Sequence, residues 1–451
     1  MHAIRASIIA ACIAITGYLP AFPEDDFYQL RTPVNAAGEP VAIPTRAPRA
    51  LWCILILMVV SVAINYVDRG ILSTAAPLLQ VDMAIPPAQL GLLLSSFFWS
   101  YALLQIASGW LVDRYEVKWV MATGFFVWSM ATAAMGLAGL FGVLLLLRLL
   151  LGIGESVAYP CYSKIIAAYF SEQQRGLANG LIDAGTKLGP ALGMLTGGML
   201  MAQYGWRPVF IVLGLASLVW LPAWIKWMPR ARRPGESPTR EGAGFKEILS
   251  KRSAWATVAG HFCGNYFWYF LLTWLPYYLV RERGFSMDRM AIVTAVAYCV
   301  TALSTTTTGW LADRFIAAGS SPTRVRKFCT AIGLAFATSV VGVAFVQSSA
   351  GAMAILMFSC LSYGVFASSH WAITQTIAGP LAVGKWSGLQ NCIANMAGVA
   401  APAVTGIVVK HTGHFLWAFA VSAIVVLTGA VVYAFALGPV EPIIWCARKQ
   451  T

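Results

Sequence analysis

Three stretches of the chain, Leu51–Val67, Val120–Leu147 and Val421–Leu437, contain no Lys, Arg, Asp or Glu. These runs constrain the fold more than any other feature. A helix rises about 1.5 Å per residue, so about 17–25 apolar residues cross the roughly 30 Å of bilayer hydrocarbon. Membrane strands would need only about 10 residues, alternating in polarity. No such alternation is present, so the spans are expected to be helices. Composition points the same way: 59% of the 451 residues are hydrophobic, 11% are charged, and the mean hydropathy is +0.70. A soluble domain carries about 25% charged residues. The expected class is an all-α membrane protein embedded in a lipid bilayer.

Twelve transmembrane helices are expected: 51–79, 90–111, 118–138, 140–165, 175–202 and 206–227, then 254–280, 289–312, 327–347, 350–378, 384–409 and 413–437. The long polar interruption between the sixth and seventh, Pro229–Arg252, carries seven Lys and Arg residues with Pro, Gly and Ser. It reads as a solvated linker between two halves. The domain organisation is therefore a 1–50 extension, a six-helix bundle over 51–227, a linker over 228–253, a second bundle over 254–437 and a 438–451 tail. Ile8–Ile15 has the look of a short signal core, but it is too short for a thirteenth helix. The formal charge of +13 is sorted by loop and does not form a nucleic-acid face. With an inside N-terminus, 21 of the 31 Lys and Arg residues fall on the cytoplasmic side and five outside. Both termini are thus expected to be cytoplasmic, in a cell (inner) membrane. The nine cysteines are scattered without CxxC spacing, which suggests neither disulfides nor zinc. His411-x-x-His414 lacks further ligands, so no metal and no cofactor are expected.

Two hexapeptides, GWLVDR at Gly109–Arg114 and GWLADR at Gly309–Arg314, differ at one position and lie 200 residues apart, at 109 and 309. Each falls at the cytoplasmic end of the second helix of its half. A duplicated six-helix unit explains them, and internal repeats build many transporters. Gly109-x-x-x-Asp113-Arg114 resembles the loop signature of the major facilitator superfamily, whose fold is two six-helix bundles around a central cavity. The resemblance covers about residues 50–437. Glu116 and Val117 stand where the family usually has a glycine and a basic residue. Asp113, Arg114, Asp313 and Arg314 are the expected gating residues, with Asp113 and Arg114 pairing across the interface between halves. Loss of Asp113 should slow the conformational cycle and leave substrate affinity largely intact.

Ionisable groups inside spans cost at least about 2.5–3.5 kcal/mol each, so they line a pathway or pair. The amino half holds Asp68, Arg69, Arg148, Glu155, Asp183 and Lys187. The carboxyl half offers instead His261, Asn265, His370, Gln375, Asn391 and Asn395. Arg148 and Glu155 are two turns apart on one helix face, and Asp183 and Lys187 are spaced for a helical ion pair. Asp68 and Arg69 are neighbours. From spacing alone they lie either inside the membrane or at its outer interface.

Asn65-Tyr66-Val67-Asp68-Arg69-Gly70, with Ser73 and Pro77, resembles the first helix of the anion:cation symporter family within that superfamily, as do Arg148-x-x-x-Gly152-x-x-Glu155 and Pro160. Members import sugar acids such as galactonate and hexuronates, and other organic anions. The resemblance implies that Arg69 binds the substrate carboxylate with Tyr66 and Tyr101 nearby. It also implies that Asp68 and Glu155 carry protons and that Arg148 tunes Glu155. Charge balance agrees independently. Three cations offset three carboxylates, so an anion entering a site of low dielectric leaves an excess charge unless a carboxylate takes up a proton. Cotransport also removes a penalty of about 2.3 kcal/mol per charge per 100 mV. Lys187 lies in a glycine-rich pattern, Gly185 to Gly193, that resembles a helix-5 motif of antiporters, with Met194 in place of its last glycine. It either binds a second carboxylate or pairs with Asp183.

In the carboxyl half Asn265, Ser369, Trp371 and Asn391 are the expected substrate-facing groups, because Ser368–Trp371 breaks an apolar helix with clustered polarity. The expected function is proton-coupled symport of a small organic anion, a hydroxylated carboxylate, by a monomer working through alternating access. The alternatives are an organic-anion exchanger or exporter, an aromatic-carboxylate importer, and a membrane sensor without transport. No nucleophile, base and orienting group recur at credible spacing, which argues against an enzyme.

Overall fold

The computed structural model describes residues 48–229 and 243–445, and among them every regular element is helical. The readings of the 1–50 extension, of most of the linker and of the end of the tail lie outside the described residues. The first three expected spans are α1 (Pro48–Asp82), α2 (Pro87–Arg114) and α3 (Val117–Met135). The fourth is α4 (Phe141–Glu155) with α5 (Ala158–Tyr169), the fifth is α6 (Arg175–Tyr204), and the sixth is α7 (Trp206–Ser217) with α8 (Trp220–Trp227). A short α9 (Phe245–Leu249) precedes α10 (Arg252–Arg281) and α11 (Met287–Ala317). Then come α12 (Pro322–Ala337) with a 3-10 turn over Thr338–Ala344, α13 (Ser349–Ala367), α14 (His370–Asn395), α15 (Ala397–Thr412) and α16 (Phe415–Val431). Eight stretches of the described residues are long and apolar enough to cross a membrane. One of these runs from Ser349 to Thr412 and contains the expected tenth and eleventh spans. They part inside α14 at Gly379, whose φ of 62° breaks the helix just before Pro380. A positive φ is open to glycine and costly for a side chain with a Cβ.

Several spans expected to be continuous are interrupted. α4 gives way to α5 at Ser156–Val157, and α13 to α14 at Ser368–Ser369. At both places a serine hydroxyl bonds a carbonyl three residues back, Ser156 to Ile153 at 2.7 Å and Ser368 to Val365 at 2.7 Å. Such local bonds compete with the helical ladder. The interruptions sit beside Glu155 and Trp371, the residues with chemistry to place.

Buried apolar side chains form two clusters. One draws on residues from Ile54 to Met228, and the other on residues from Ala243 to Val440 with Ala167. Large apolar side chains also stand exposed along the helices, among them Trp99, Leu103, Leu146, Leu303, Ile424 and Phe435. Surfaces of that kind suit a hydrocarbon surround. Within the first cluster α1 lies along α6, and small residues set their spacing: a Cβ on Gly70 would meet the Pro190 carbonyl oxygen at 2.6 Å, and one on Gly189 the Tyr66 Cβ at 2.6 Å. Between the clusters α6 packs on α11 and α2 on α14.

Candidate functional site

α1 continues past the end of its first apolar run to Asp82. Asp68 and Arg69 therefore lie within the helix and not at its end, and both meet other helices of the first half. Asp68 is buried and accepts a 3.2 Å hydrogen bond from the Thr132 hydroxyl of α3. Arg69 donates from Nη2 to Glu155 Oε2 at 2.9 Å, and the Glu155 side chain is 0% exposed. The guanidinium carbon of Arg69 stands 4.4 Å from the Tyr66 ring centre, 4.7 Å from Phe97 and 4.8 Å from Tyr101. Arg148 lies on the buried face of α4 with Glu155, its guanidinium 5.0 Å from the Phe97 ring. Its Nε and Nη1 have no hydrogen-bond partner among the described residues. Both guanidinium groups thus pack near one phenyl ring, and one carboxylate is bound to the first of them. Pairing offsets the cost of burying the Glu155 charge.

Beside this cluster is a small cavity of about 30 Å³. Its wall includes Tyr66, Tyr101, Lys187, Asn265, Trp371 and Asn391 from the expected set. It also includes Tyr159, Asp183, His261, Trp268, Tyr269, Tyr363, His370 and Asn395. Of these additions the aromatic residues of α5, α10 and α13 were not anticipated, since single aromatics in apolar spans look like lipid-facing or packing residues. Arg69 itself is not on this wall; Tyr66 and Tyr101, which are, pack against its guanidinium. Ser369 is placed otherwise than expected. Its side chain is fully buried next to the Ser368 hydroxyl, 3.2 Å away, because the chain turns there into α14 and presents Trp371 to the cavity instead.

Lys187 and Asp183, four residues apart on α6, form a 3.2 Å ion pair. The Lys187 ammonium also stands 3.8 Å from the Trp268 ring centre and 5.6 Å from that of Tyr363. Asp183 accepts a second bond from the Thr305 hydroxyl of α11 at 3.2 Å. This pair therefore reaches across to helices of the other half, whereas the Arg69–Glu155 pair is contained in its own. On the carboxyl side Tyr269 donates to Asn395 Oδ1 at 2.7 Å, and Asn395 Nδ2 donates to Asn391 Oδ1 at 3.0 Å. Asn391 Nδ2 has no hydrogen-bond partner among the described residues.

At one end of the helices the two repeated hexapeptides make matching contacts. Asp113 Oδ1 accepts from the Gly384 backbone N–H at 3.1 Å, and Oδ2 from that of Lys385 at 2.8 Å. Asp313 Oδ1 accepts from the Gly176 N–H at 2.9 Å, and Oδ2 from that of Leu177 at 2.7 Å. The second set of N–H groups belongs to the first turn of α6, where backbone donors lack helical partners and carboxylates are favoured. Each aspartate has one cation beside it, Lys164 at 3.0 Å from Asp113 and Arg326 at 2.7 Å from Asp313. The expected pairing of Asp113 with Arg114 is corrected: Arg114 is exposed, and Arg314 is exposed over the Trp310 ring. An arginine directly after the aspartate points about 100° around the helix from it, so the cation comes from another element. Nearby, Asn179 and Gln375 exchange two amide hydrogen bonds of 2.8 and 2.9 Å, and Arg175 donates to Thr376 at 2.8 Å. These contacts hold the two halves together at this end.

A sequence profile described as Major Facilitator Superfamily matches residues 58–382. The chain is 29% identical over 378 residues to a hexuronate transporter of Bacillus subtilis, an alignment covering 81% of this chain and 90% of that one. It is 32% identical over 410 residues to a chloroplastic sodium-dependent phosphate transport protein of Arabidopsis thaliana, covering 85% and 78%. Among solved structures, the transporter FucP in the outward conformation superposes with a TM-score of 0.70 at 14% identity, over 86% of this chain and 99% of that one. These relatives are transporters and not enzymes. Repeat, helices, profile and relatives agree, and the chain belongs to the Major Facilitator Superfamily.

Proposed function

We propose that the protein is a secondary active transporter that carries a small organic anion together with protons by alternating access. Residues 51–227 and 254–437 act as two six-helix bundles, twelve membrane crossings in all, joined by the 228–253 linker. The termini and the Asp113 and Asp313 corners face the cytoplasm of a cell whose inner membrane holds the protein, which works as a monomer. With those corners closed, the cavity in this conformation is shut from the cytoplasm. Sugar acids and related hydroxylated carboxylates are the substrate class, in keeping with relatives named for hexuronate and for galactarate and glucarate.

The observation that carries this reading is the ion pair between Arg69 and the fully buried Glu155. A substrate carboxylate that binds Arg69 competes with Glu155 for the same guanidinium. Glu155 then stands as an unpaired buried charge, which costs several kcal/mol. A proton taken up from the cavity neutralises it. The anion and the proton therefore bind better together than apart. Asp68, held by Thr132, and Arg148, with its uncommitted donors, adjust the charge that Glu155 feels. Tyr66 and Tyr101 hold the Arg69 side chain in place while its partner changes. On the opposite wall Asn265, Trp371 and Asn391 meet the neutral part of the substrate.

The test is uptake into proteoliposomes. An inward proton gradient should drive accumulation of a radiolabelled hexuronate or galactonate above equilibrium. Glu155→Gln should abolish that accumulation while unlabelled substrate still exchanges for labelled. Equal loss of accumulation and exchange would reject the role of Glu155, and uptake indifferent to the gradient would reject proton coupling. The rings of Tyr66, Tyr159, Trp268 and Trp371 on the wall favour a second reading, an aromatic carboxylate, which competition between galactonate and benzoate separates from the first.

A further inference from the structure

One cation–carboxylate pair lies behind the tyrosines of the cavity wall and a second lines the cavity, but only one is needed to bind a single carboxylate. The first is Arg69 with Glu155. The second is Lys187 with Asp183, joined at 3.2 Å, with both residues on the cavity wall. The Lys187 side chain is 4% exposed, and its ammonium has two aromatic rings of the other half against it, Trp268 at 3.8 Å and Tyr363 at 5.6 Å. Helix spacing would satisfy a structural ion pair anywhere on α6. Here the pair opens onto the ligand space, and a buried cation there is a ready acid-binding group. The helices bearing the two cations are locked together: Gly189, two residues beyond Lys187, touches Tyr66, three residues before Arg69. The separation of the two cations is thus built into the α1–α6 contact.

We propose that Lys187 and Asp183 form a second acid subsite, so that the preferred substrate is a diacid with one acid group on Arg69 and the other on Lys187. This inference rests on the reading of Arg69 as the carboxylate anchor. Each arriving carboxylate displaces a resident one, the first from Arg69 and the second from Lys187. Glu155 and Asp183 each take one proton from water, so two protons enter with the dianion and the charge of the site does not change. Asp183 keeps its bond from Thr305 when Lys187 leaves it, which ties occupation of this subsite to the contact between α6 and α11.

The experiment uses the full-length protein in detergent and compares galactarate with galacturonate, which share a carbon skeleton and differ by one acid group. Binding is read by calorimetry, and proton uptake by a dye in weak buffer. The diacid should bind roughly ten- to a hundred-fold more tightly, the range that a charged hydrogen bond supplies, and should take up two protons against one. Lys187→Met together with Asp183→Asn should collapse that preference. Asp183→Asn alone keeps the cation and removes the acceptor, so the diacid should still be preferred while its proton uptake falls to one. Equal affinities for the two acids, or a preference untouched by the double variant, overturns the inference. If the monoacid still depends on Arg69 in that case, the transport reading stands. If neither acid binds, or Arg69→Ala changes nothing, both fall.

Discussion

The two halves of the protein agree at one end and part company in the middle. At the closed end, Gly109 lies against the Gly384 backbone and Gly309 against that of Gly176, while Gly388 approaches Gln105 and Gly180 approaches Thr305. Gln105 and Thr305 are again 200 residues apart. Asp113 and Asp313 then bind the neighbouring N–H groups in the same manner. In and around the cavity the charged groups have no counterpart. The amino half supplies Arg69, Arg148, Glu155, Asp183 and Lys187, and the carboxyl half answers with Trp268, Tyr363, Asn391 and Asn395. The difference teaches that machinery for joining and parting the halves tolerates duplication, because both halves move against each other. Charge chemistry does not, since a second set of buried ions would have to be neutralised separately.

The strongest way to break this comparison is to remove the amino-half anchor. Arg69→Ala deletes the guanidinium and leaves Glu155 fully buried without its partner. Binding of a monoacid should fall at least about 100-fold, the loss expected when one member of a buried charge pair is truncated. Arg69→Lys should recover little of it, because an ammonium cannot lie flat among the Tyr66, Phe97 and Tyr101 rings. Calorimetric titration of each variant checks both statements. Retention of binding within a few-fold would mean that the charges of the amino half are structural.

The closed end makes a sharper prediction, since its two corners are alike in geometry and unlike in burial. Arg326 beside Asp313 is 0% exposed, while Lys164 beside Asp113 is 21% exposed. Asp313→Asn removes the negative charge closest to a sealed guanidinium and leaves the Glu172 carboxylate, 3.5 Å away, to balance it. The protein should lose about 3 kcal/mol of stability. Asp113→Asn should lose well under half as much, because Lys164 can turn to water. Both should loosen this end, seen as faster labelling of cysteines placed inside it, and slow transport turnover, with substrate affinity little changed. Equal melting temperatures for the two variants would erase the distinction between the corners.

How much of this could be read from the chain depends on the distance over which a residue acts. Helix positions followed from apolar runs, and the ion pair of Asp183 with Lys187 followed from four-residue spacing on one helix. The repeat at Gly109 and Gly309 located the corners. Their partners stayed hidden, because Asp313 binds backbone groups 137 and 136 residues away and Asp113 others 271 and 272 away. A backbone N–H carries no side-chain identity for a pattern to catch. The signal that was there is Gly176-x-x-x-Gly180 matched by Gly384-x-x-x-Gly388, two small-residue faces that permit backbones to touch. Lys164 and Arg326 were legible only as loop charges, and Arg326 proves to be buried inside α12. Ser369 failed for a related reason: polarity marks the place where a helix turns as readily as it marks a cavity wall.

The smallest expected effect tests the carboxyl half by itself. Asn391, on the cavity wall, accepts from Asn395 through Oδ1, and Asn395 in turn accepts from Tyr269, so this chain fixes the amide and leaves Nδ2 without a partner among the described residues. A substrate hydroxyl is the group such a donor suits. Asn391→Ala should weaken a hydroxylated acid by about 1 kcal/mol, roughly five-fold. It should leave the analogue lacking that hydroxyl unaffected. Titrating galactonate and its deoxy forms against both proteins locates the hydroxyl concerned. If every analogue loses affinity equally, Asn391 serves the packing of α14 on α10, and hydroxyl recognition resides elsewhere on the wall. A loss confined to one deoxy position would assign anion binding to one half and recognition of the substrate's neutral face to the other.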